Sequence, residues 1–320
     1  MTRAATRQTI VVVPSTALRA ELGDLPESIR LVDHAPGIDL GPEHLEAEVI
    51  VFGFEQRELL GRLGEFASLR LVQSLSAGVE AILPAIPDGV TLTNAAGVHD
   101  IPVAEWVVAM LLAHQHLLPR FLDAQRLGEW DHGGNAVATS PEDTPGDDLD
   151  GMRVLILGHG SIGRAVEARL APFGAEVVGI TRHGRAGTAT PDRLCELAAD
   201  VDAMVILTPL TSETDGLVGA AVLAELRDGA IVVNAGRGPV LDHAALEVEL
   251  RSGRLRAALD VTVPEPLPAG HTLWRAPNLI ITPHVAGSSR KWQARAYRFV
   301  GDQLRRHVAG EPLLNVRTQY

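Results

Sequence analysis

Residues 153–163, RVLILGHGSIG, constrain the fold more than any other stretch. An aliphatic run meets three glycines, and a helical pattern, SIGRAVEARLAPFG, starts at once. That order suits a strand, a tight turn and a helix packed back onto the strand. Gly158 permits the turn, Gly160 lets backbone come close to a neighbour, and Gly163 lets helix and strand touch. Parallel strands need crossover connections, and the sequence supplies them. Strand candidates Arg153–Leu157, Glu176–Thr181, Ala203–Leu207, Ala230–Asn234, Ala257–Val261 and Leu279–Thr282 alternate with helical patterns, as a doubly wound sheet requires. An earlier series, Thr9–Val13, Glu48–Phe52, Arg70–Gln73 and Val90–Thr93, alternates with charged segments such as Glu55–Phe66 and predicts a second small parallel sheet.

Between the two series, Pro102–Glu129 reads as a buried helix with Pro102 in its first turn and a kink or break at Pro119. Trp130–Gly151 is turn-rich and reads as a long exposed loop. Arg290–His307 reads as a last helix. A chain of 320 residues, 46% apolar and 21% charged, has material for two full domains. Its 28 basic and 40 acidic residues give −12, which argues against nucleic acid or an anionic membrane as partner. One cysteine, Cys195, excludes an internal disulfide and a multi-cysteine metal site; it is expected to be a buried small apolar side chain. Lys291 is the only lysine and no P-loop surrounds it, and no HExxH is present, so no metal site is expected. The first residues make a poor secretory signal and no stretch is long and apolar enough to span a bilayer; a cytoplasmic location is expected.

A glycine turn between strand and helix is a dinucleotide fingerprint: the first N–H groups of the helix, at Ser161, Ile162 and Gly163, face a pyrophosphate. About 20 residues on, an NAD site carries an acid for the ribose hydroxyls. Here the second strand ends in Thr181-Arg182-His183-Gly184-Arg185, with no carboxylate before Asp192. Arginine binds a 2′-phosphate where a carboxylate repels it. NADP(H) is therefore favoured over NAD(H), with Thr181 and Arg182 as readers and His183 or Arg185 as a helper. The alternative is a solvated basic loop beside an NAD(H) site.

Three further segments put titratable groups just past predicted strand ends: Asn234-Ala235-Gly236-Arg237-Gly238, Asp260-Val261-Thr262-Val263-Pro264-Glu265-Pro266, and Thr282-Pro283-His284-Val285-Ala286-Gly287. With the glycine turn, and with Pro209-Leu210-Thr211-Ser212-Glu213-Thr214, they resemble the D-isomer-specific 2-hydroxyacid dehydrogenase family, glyoxylate/hydroxypyruvate reductase-like. Gln73–Glu80 resembles that family's substrate-carboxylate loop, and Asn94–Glu105 its interdomain entry helix. The resemblance implies two flavodoxin/Rossmann-like α/β domains, each a doubly wound parallel sheet, with an interdomain active-site cleft. It places a substrate domain at 1–100 plus 288–320 and a dinucleotide domain at 101–287, and implies a homodimer.

The same resemblance assigns roles. Arg237 anchors a substrate carboxylate, assisted by the backbone of Ser76, Ala77 and Gly78. His284 is the general acid/base, and Glu265 pairs with it and favours its protonated form. Thr208, Pro209, Thr214, Ala235 and Asp260 join the glycine turn around the cofactor, with Asp260 at the nicotinamide amide. The implied reaction is hydride exchange between NAD(P)H and a small 2-keto acid of glyoxylate or hydroxypyruvate type, forming a D-2-hydroxy acid. Taken singly, each of these side chains has a structural alternative: Arg237 as a strand cap, His284 as a packed histidine, Glu265 as a loop carboxylate. Two other readings remain open on the same fold: a dinucleotide-sensing binding protein, and a dehydrogenase for a larger acid such as 3-phosphoglycerate. His159 is expected to face solvent or phosphate, and Trp130 and Trp292 to be packing residues.

Overall fold

A computed structural model of the chain describes residues 8–35, 37–131, 146–185 and 187–318. It divides into two compact units, Met1–His99 with Ser289–Tyr320, and Asp100–Ser288. The first unit opens with β1 (Thr9–Val13), β2 (Ile29–Asp33), α1 (Pro42–Leu45), β3 (Val49–Phe52), β4 (Leu71–Ser74) and β5 (Thr91–Thr93). The second holds α2 (Asp100–Gln115), α3 (Leu118–Leu127), β6 (Arg153–Leu157), α4 (Ser161–Leu170), β7 (Glu176–Ile180), α5 (Leu194–Ala198) and β8 (Ala203–Ile206). It continues through α6 (Ala220–Glu225), β9 (Ile231–Asn234), α7 (His243–Arg251), β10 (Arg256–Leu259) and β11 (Leu279–Ile281). The chain then returns to the first unit as α8 (Trp292–Ala309) and β12 (Val316–Arg317).

Each unit is built on one six-stranded sheet, ordered β12-β5-β4-β3-β1-β2 in the first and β11-β10-β9-β8-β6-β7 in the second. All pairings are parallel except β12 with β5. Alternate residues enter opposite cores, as strand geometry requires. Leu155 and Leu157 of β6 pack on one face and Val154 and Ile156 on the other. Val11 and Val13 of β1 face one core, Val12 the other.

In the first unit, α8 is fixed by close packing and by a buried amide network. The backbone of Gly301 lies against the carbonyl of Leu22, leaving no room for a side chain. Thr93 Oγ1 donates to Gln73 Oε1 (2.7 Å), and Gln303 Nε2 donates to the same oxygen (3.1 Å) and to Leu314 O (2.9 Å). Leu314 N–H closes the network on Gln303 Oε1 (2.9 Å). Buried amides with partners avoid the cost of lost hydration.

Several expectations are corrected. Strand β2, Ile-Arg-Leu-Val-Asp, was not foreseen: it is an edge strand with exposed Arg30 and Asp33, so its apolar run is broken. The two-residue β12 also escaped notice. The helix starts at Asp100, two residues before Pro102, and breaks at His116–Leu117, where Leu117 takes φ 52°. Pro119 follows in the first turn of α3, where its missing N–H costs nothing. Cys195 is exposed rather than buried. Trp130, expected to pack or else to line a cleft or dimer interface, is 84% exposed and does not pack on its own unit. Of the expected 130–151 loop, residues 132–145 lie outside the described residues. No single described helix is long and apolar enough to cross a membrane; α2 with α3 passes only as a pair bent by 66°.

The C-terminal end of α2 is capped from β10. Arg256 Nη1 donates to His114 O (2.9 Å), its Nη2 to Gln115 Oε1 (3.0 Å) and its Nε to Gly229 O (2.8 Å). A cation there meets the negative end of the helix dipole. His114 itself is buried, with Nε2 2.9 Å from Ala257 O. Burial, helped by the Arg256 charge, lowers its pKa from 6.5 to about 4. The folded state thus keeps His114 neutral while the unfolded chain takes up a proton. This contribution is complete above pH ~6.5 and falls as the pH drops toward ~4, by about 3 kcal/mol. Urea titrations of the wild type and His114→Gln at pH 7.5 and 4.5 check this: the wild type loses more stability on acidification. Equal losses would remove His114 from the acid limb.

Candidate active site

The glycine turn of the second unit is built as its sequence demands. Gly158 has φ 98°, and a Cβ there would lie 2.8 Å from both Leu207 C and Thr208 N. The turn therefore presses against the chain leaving β8. A Cβ on Gly163 would lie 3.0 Å from Gly158 O and 3.2 Å from Ile156 Cγ2, so α4 packs directly on β6. Gly160 precedes α4, no side chain caps that end among the described residues, and its first turn holds no acid. The N–H groups of Ser161, Ile162 and Gly163 have no acceptor inside the helix, leaving a positive, donor-rich end. Ser161 Oγ donates to the carboxylate of Asp100.

Beside this turn, Thr208 Oγ1 is buried and has no partner among the described residues. An orphaned hydroxyl next to a cradle that admits no Cβ fits a ligand that supplies polar atoms. The strand order puts this place between β6 and β8, where successive strands leave to opposite sides. Ala235 N–H bonds Ile206 O (3.1 Å), and a Cβ on Gly236 would lie 2.8 Å from Thr208 O, so the turn after β9 lies alongside. Pro209 and Thr214 belong to a turn closed on itself: Thr214 Oγ1 donates to Pro209 O (2.7 Å) and accepts from Thr211 N–H (2.8 Å).

His159 differs from its expected place. Its side chain is 12% exposed and bonds Glu167 Oε2 through Nε2 (2.9 Å). Its ring lies against Gly179 of β7, where a Cβ would come within 2.8 Å of His159 Cγ. The residue packs the loop rather than facing a phosphate. After β7, Thr181 Oγ1 is used within its own turn, bonding Thr188 Oγ1 (2.8 Å) and Arg185 N–H (3.2 Å). Arg182 and His183 are exposed. Arg182 Nη2 donates to Glu213 Oε1 (2.6 Å), so a carboxylate reaches this basic turn from the one after β8.

The other half of the edge carries Arg237, Glu265 and His284. Buried Asn234 shapes the first turn: its Oδ1 accepts from Gly236 N–H (3.0 Å) and its Nδ2 donates to Arg237 O (3.1 Å). Arg237 Nη1 donates to Gly236 O (2.7 Å). Gly238 lies directly on the Thr262 carbonyl, with no space for a side chain, so the Arg237 turn rests on the segment that leads to Glu265. Asp260, 3% exposed, organises the third turn. Its Oδ1 accepts from Thr282 Oγ1 (2.6 Å) and Val285 N–H (2.8 Å), its Oδ2 from Ala286 N–H (2.9 Å), and its carbonyl from His284 N–H (2.7 Å). His284 is held at φ 54°, an uncommon conformation for a non-glycine residue. Its Nδ1 bonds the Glu265 carboxylate, and both side chains are partly exposed. A carboxylate on Nδ1 leaves Nε2 as the free end of the ring. Arg237, Glu265 and His284 thus follow β9, β10 and β11 in one sheet, with His284 and Glu265 bonded to each other. Asp260, expected at a nicotinamide amide, bonds the histidine turn, a task the sequence did not signal.

Ser76, Ala77 and Gly78 lie in the first unit, after β4. Ser76 N–H bonds Ser74 Oγ (3.0 Å), and Asn94 Nδ2 donates to Ala77 O. Just before this loop, Leu75 O bonds His99 Nε2 (3.2 Å), and the His99 ring packs on that of Trp292.

The model of the family described as D-isomer specific 2-hydroxyacid dehydrogenase, NAD binding domain, matches residues 108–286. The glyoxylate reductase/hydroxypyruvate reductase of Mus musculus is 32% identical over 266 residues, covering 80% of this chain and 79% of the mouse protein. A D-isomer specific 2-hydroxyacid dehydrogenase from Xanthobacter autotrophicus Py2, solved with NADPH and MES, superposes with TM-score 0.80 at 32% identity, covering 97% of this chain and 98% of that one. An NADPH-dependent glyoxylate/hydroxypyruvate reductase from Sinorhizobium meliloti, solved with NADP and sulfate, gives TM-score 0.80 at 27% identity over 97% and 98%. The sequence match and the shared fold make this chain a member of the D-isomer specific 2-hydroxyacid dehydrogenase family, oxidoreductases with an NAD-binding domain.

Proposed function

We propose that the protein is an NADP(H)-preferring reductase of small 2-keto acids, of glyoxylate or hydroxypyruvate type, that forms the D-2-hydroxy acid. The observation that carries this reading is the His284–Glu265 pair set beside the Arg237 turn at one sheet edge. Arg237 offers a planar, permanent charge to the substrate carboxylate. His284 Nε2 gives a proton to the keto oxygen in reduction and takes it back in oxidation. Glu265 fixes the tautomer and the ring orientation through Nδ1. A bound nicotinamide supplies the hydride. Gly158, Gly160, Ser161, Ile162 and Gly163 bind its pyrophosphate, with Thr208, Pro209, Thr214 and Ala235 alongside. Asp260 acts by holding His284 in place. The unit Asp100–Ser288 is the cofactor domain. The loop of Ser76, Ala77 and Gly78 is the anion-binding element of the other unit.

The NADP(H) preference rests on Arg182 and His183 at the end of β7, and the NADPH bound by the Xanthobacter relative supports it. A homodimer is part of the same proposal. Leu118 and Leu122, one turn apart on α3, are exposed, and Leu127 and Trp130 follow them. Such exposed apolar side chains suit a second copy. Sedimentation velocity finding only monomer at micromolar concentration would remove that element.

A panel of 2-keto acids assayed against NADPH and NADH tests the activity; cofactor binding without turnover on any acid would leave a sensor rather than an enzyme. His284→Ala should lower kcat by ~100- to 10,000-fold while NADPH still quenches tryptophan fluorescence. Near-normal turnover would discard His284 as the acid. Arg182→Ala should raise KM for NADPH at least about tenfold and leave that for NADH nearly unchanged. Equal changes for both cofactors would end the case for a 2′-phosphate reader.

A further inference from the structure

The turns after β7 and β8 flank the end of β6, and the Arg182–Glu213 ion pair spans them. We infer that Glu213 is a specificity-determining residue: its carboxylate occupies Arg182 in the ligand-free protein and competes with the 2′-phosphate of NADP(H). This deepens the proposed NADP(H) preference and rests on it.

Both partners stand on turns that their own hydrogen bonds fix. Thr181 N–H bonds Ala189 O (3.0 Å) and Gly184 N–H bonds Thr181 O (3.4 Å), which sets the Arg182 backbone. Glu213 N–H bonds Thr211 Oγ1 (3.3 Å), Asp215 N–H bonds Thr211 O (3.0 Å) and Gly216 N–H bonds Pro239 O (2.8 Å), which sets the Glu213 backbone. An exchange of partners therefore needs only side-chain rotation. The side chains are 53% and 58% exposed, and ion pairs that open to water are weak. A phosphate carries more charge than a carboxylate and three acceptor oxygens, so it wins the guanidinium. Glu213 then stays close by as a like charge and lowers the gain. The acid that the end of β7 lacks in sequence is thus supplied by a neighbouring turn. It attenuates the preference for the phosphorylated cofactor without reversing it.

The test reads binding, not turnover. Calorimetry on the full chain compares 2′,5′-ADP with 5′-AMP, which differ in the 2′-phosphate alone. Glu213→Gln should tighten 2′,5′-ADP by about three- to fivefold and leave 5′-AMP unchanged. Arg182→Ala should weaken 2′,5′-ADP at least about tenfold, and on that background Glu213→Gln should gain less. If Arg182→Ala weakens 2′,5′-ADP but Glu213→Gln does not tighten it, the role of Glu213 falls and the cofactor reading survives. A gain of full size without Arg182 would also overturn it. If Arg182→Ala leaves the discrimination between the two nucleotides intact, the cofactor reading itself fails.

Discussion

The buried carboxylate of Asp260 is the constraint on which the His284 turn of the second unit depends. One side chain, at the end of β10, accepts from Thr282 Oγ1 and from the N–H groups of Val285 and Ala286, while its carbonyl takes His284 N–H. A carboxylate so deep in protein is tolerable only with its lone pairs satisfied. Here they are satisfied by the very turn that forces His284 into a left-handed backbone. The strain of that conformation is of the kind held at functional sites by surrounding bonds. A histidine on a free loop would sample many orientations; this one is presented with Nδ1 on Glu265.

The strand order divides the remaining work. β7, β6 and β8 carry the glycine turn, the basic turn and the orphaned Thr208 hydroxyl. β9, β10 and β11 carry Arg237, Glu265 and His284. Adjacent turns meet where glycines replace side chains: Gly158 against Leu207–Thr208 in the first half, Gly238 against Thr262 in the second, and Gly236 against Thr208 where the halves join. Each allows adjacent turns to approach at backbone distance, and any larger residue would force them apart.

Much of this was legible in the chain. The glycine turn announced itself because strand, turn and helix each have their own pattern, and all three fell in order. The segments of Arg237, Glu265 and His284 were legible as a set, since each follows a strand in the same sheet. What escaped reading depends on partners distant in sequence. The three donors that reach Asp260 from the 282–286 turn escaped reading because nothing local shows them. Arg182 looked unopposed because Glu213 arrives from the next turn. His159 looked exposed because the vacancy at Gly179 that accepts its ring lies on another strand. β2 was missed because exposed Arg30 and Asp33 break its short apolar run and mask the pattern.

Charge closes the argument. A chain at −12 has no general attraction for anions, yet the proposed ligands are anionic at both ends. Local fields must therefore outweigh the net charge, and screening lets them, because at physiological salt charges beyond ~8 Å are largely damped. The capless end of α4, the Arg237 fork and the basic turn after β7 are the local positive groups the proposed function relies on. The surrounding acidity then works as a filter. It disfavours polyanions, which need a broad basic face, and admits a small acid or a dinucleotide, which needs only a few well-placed donors.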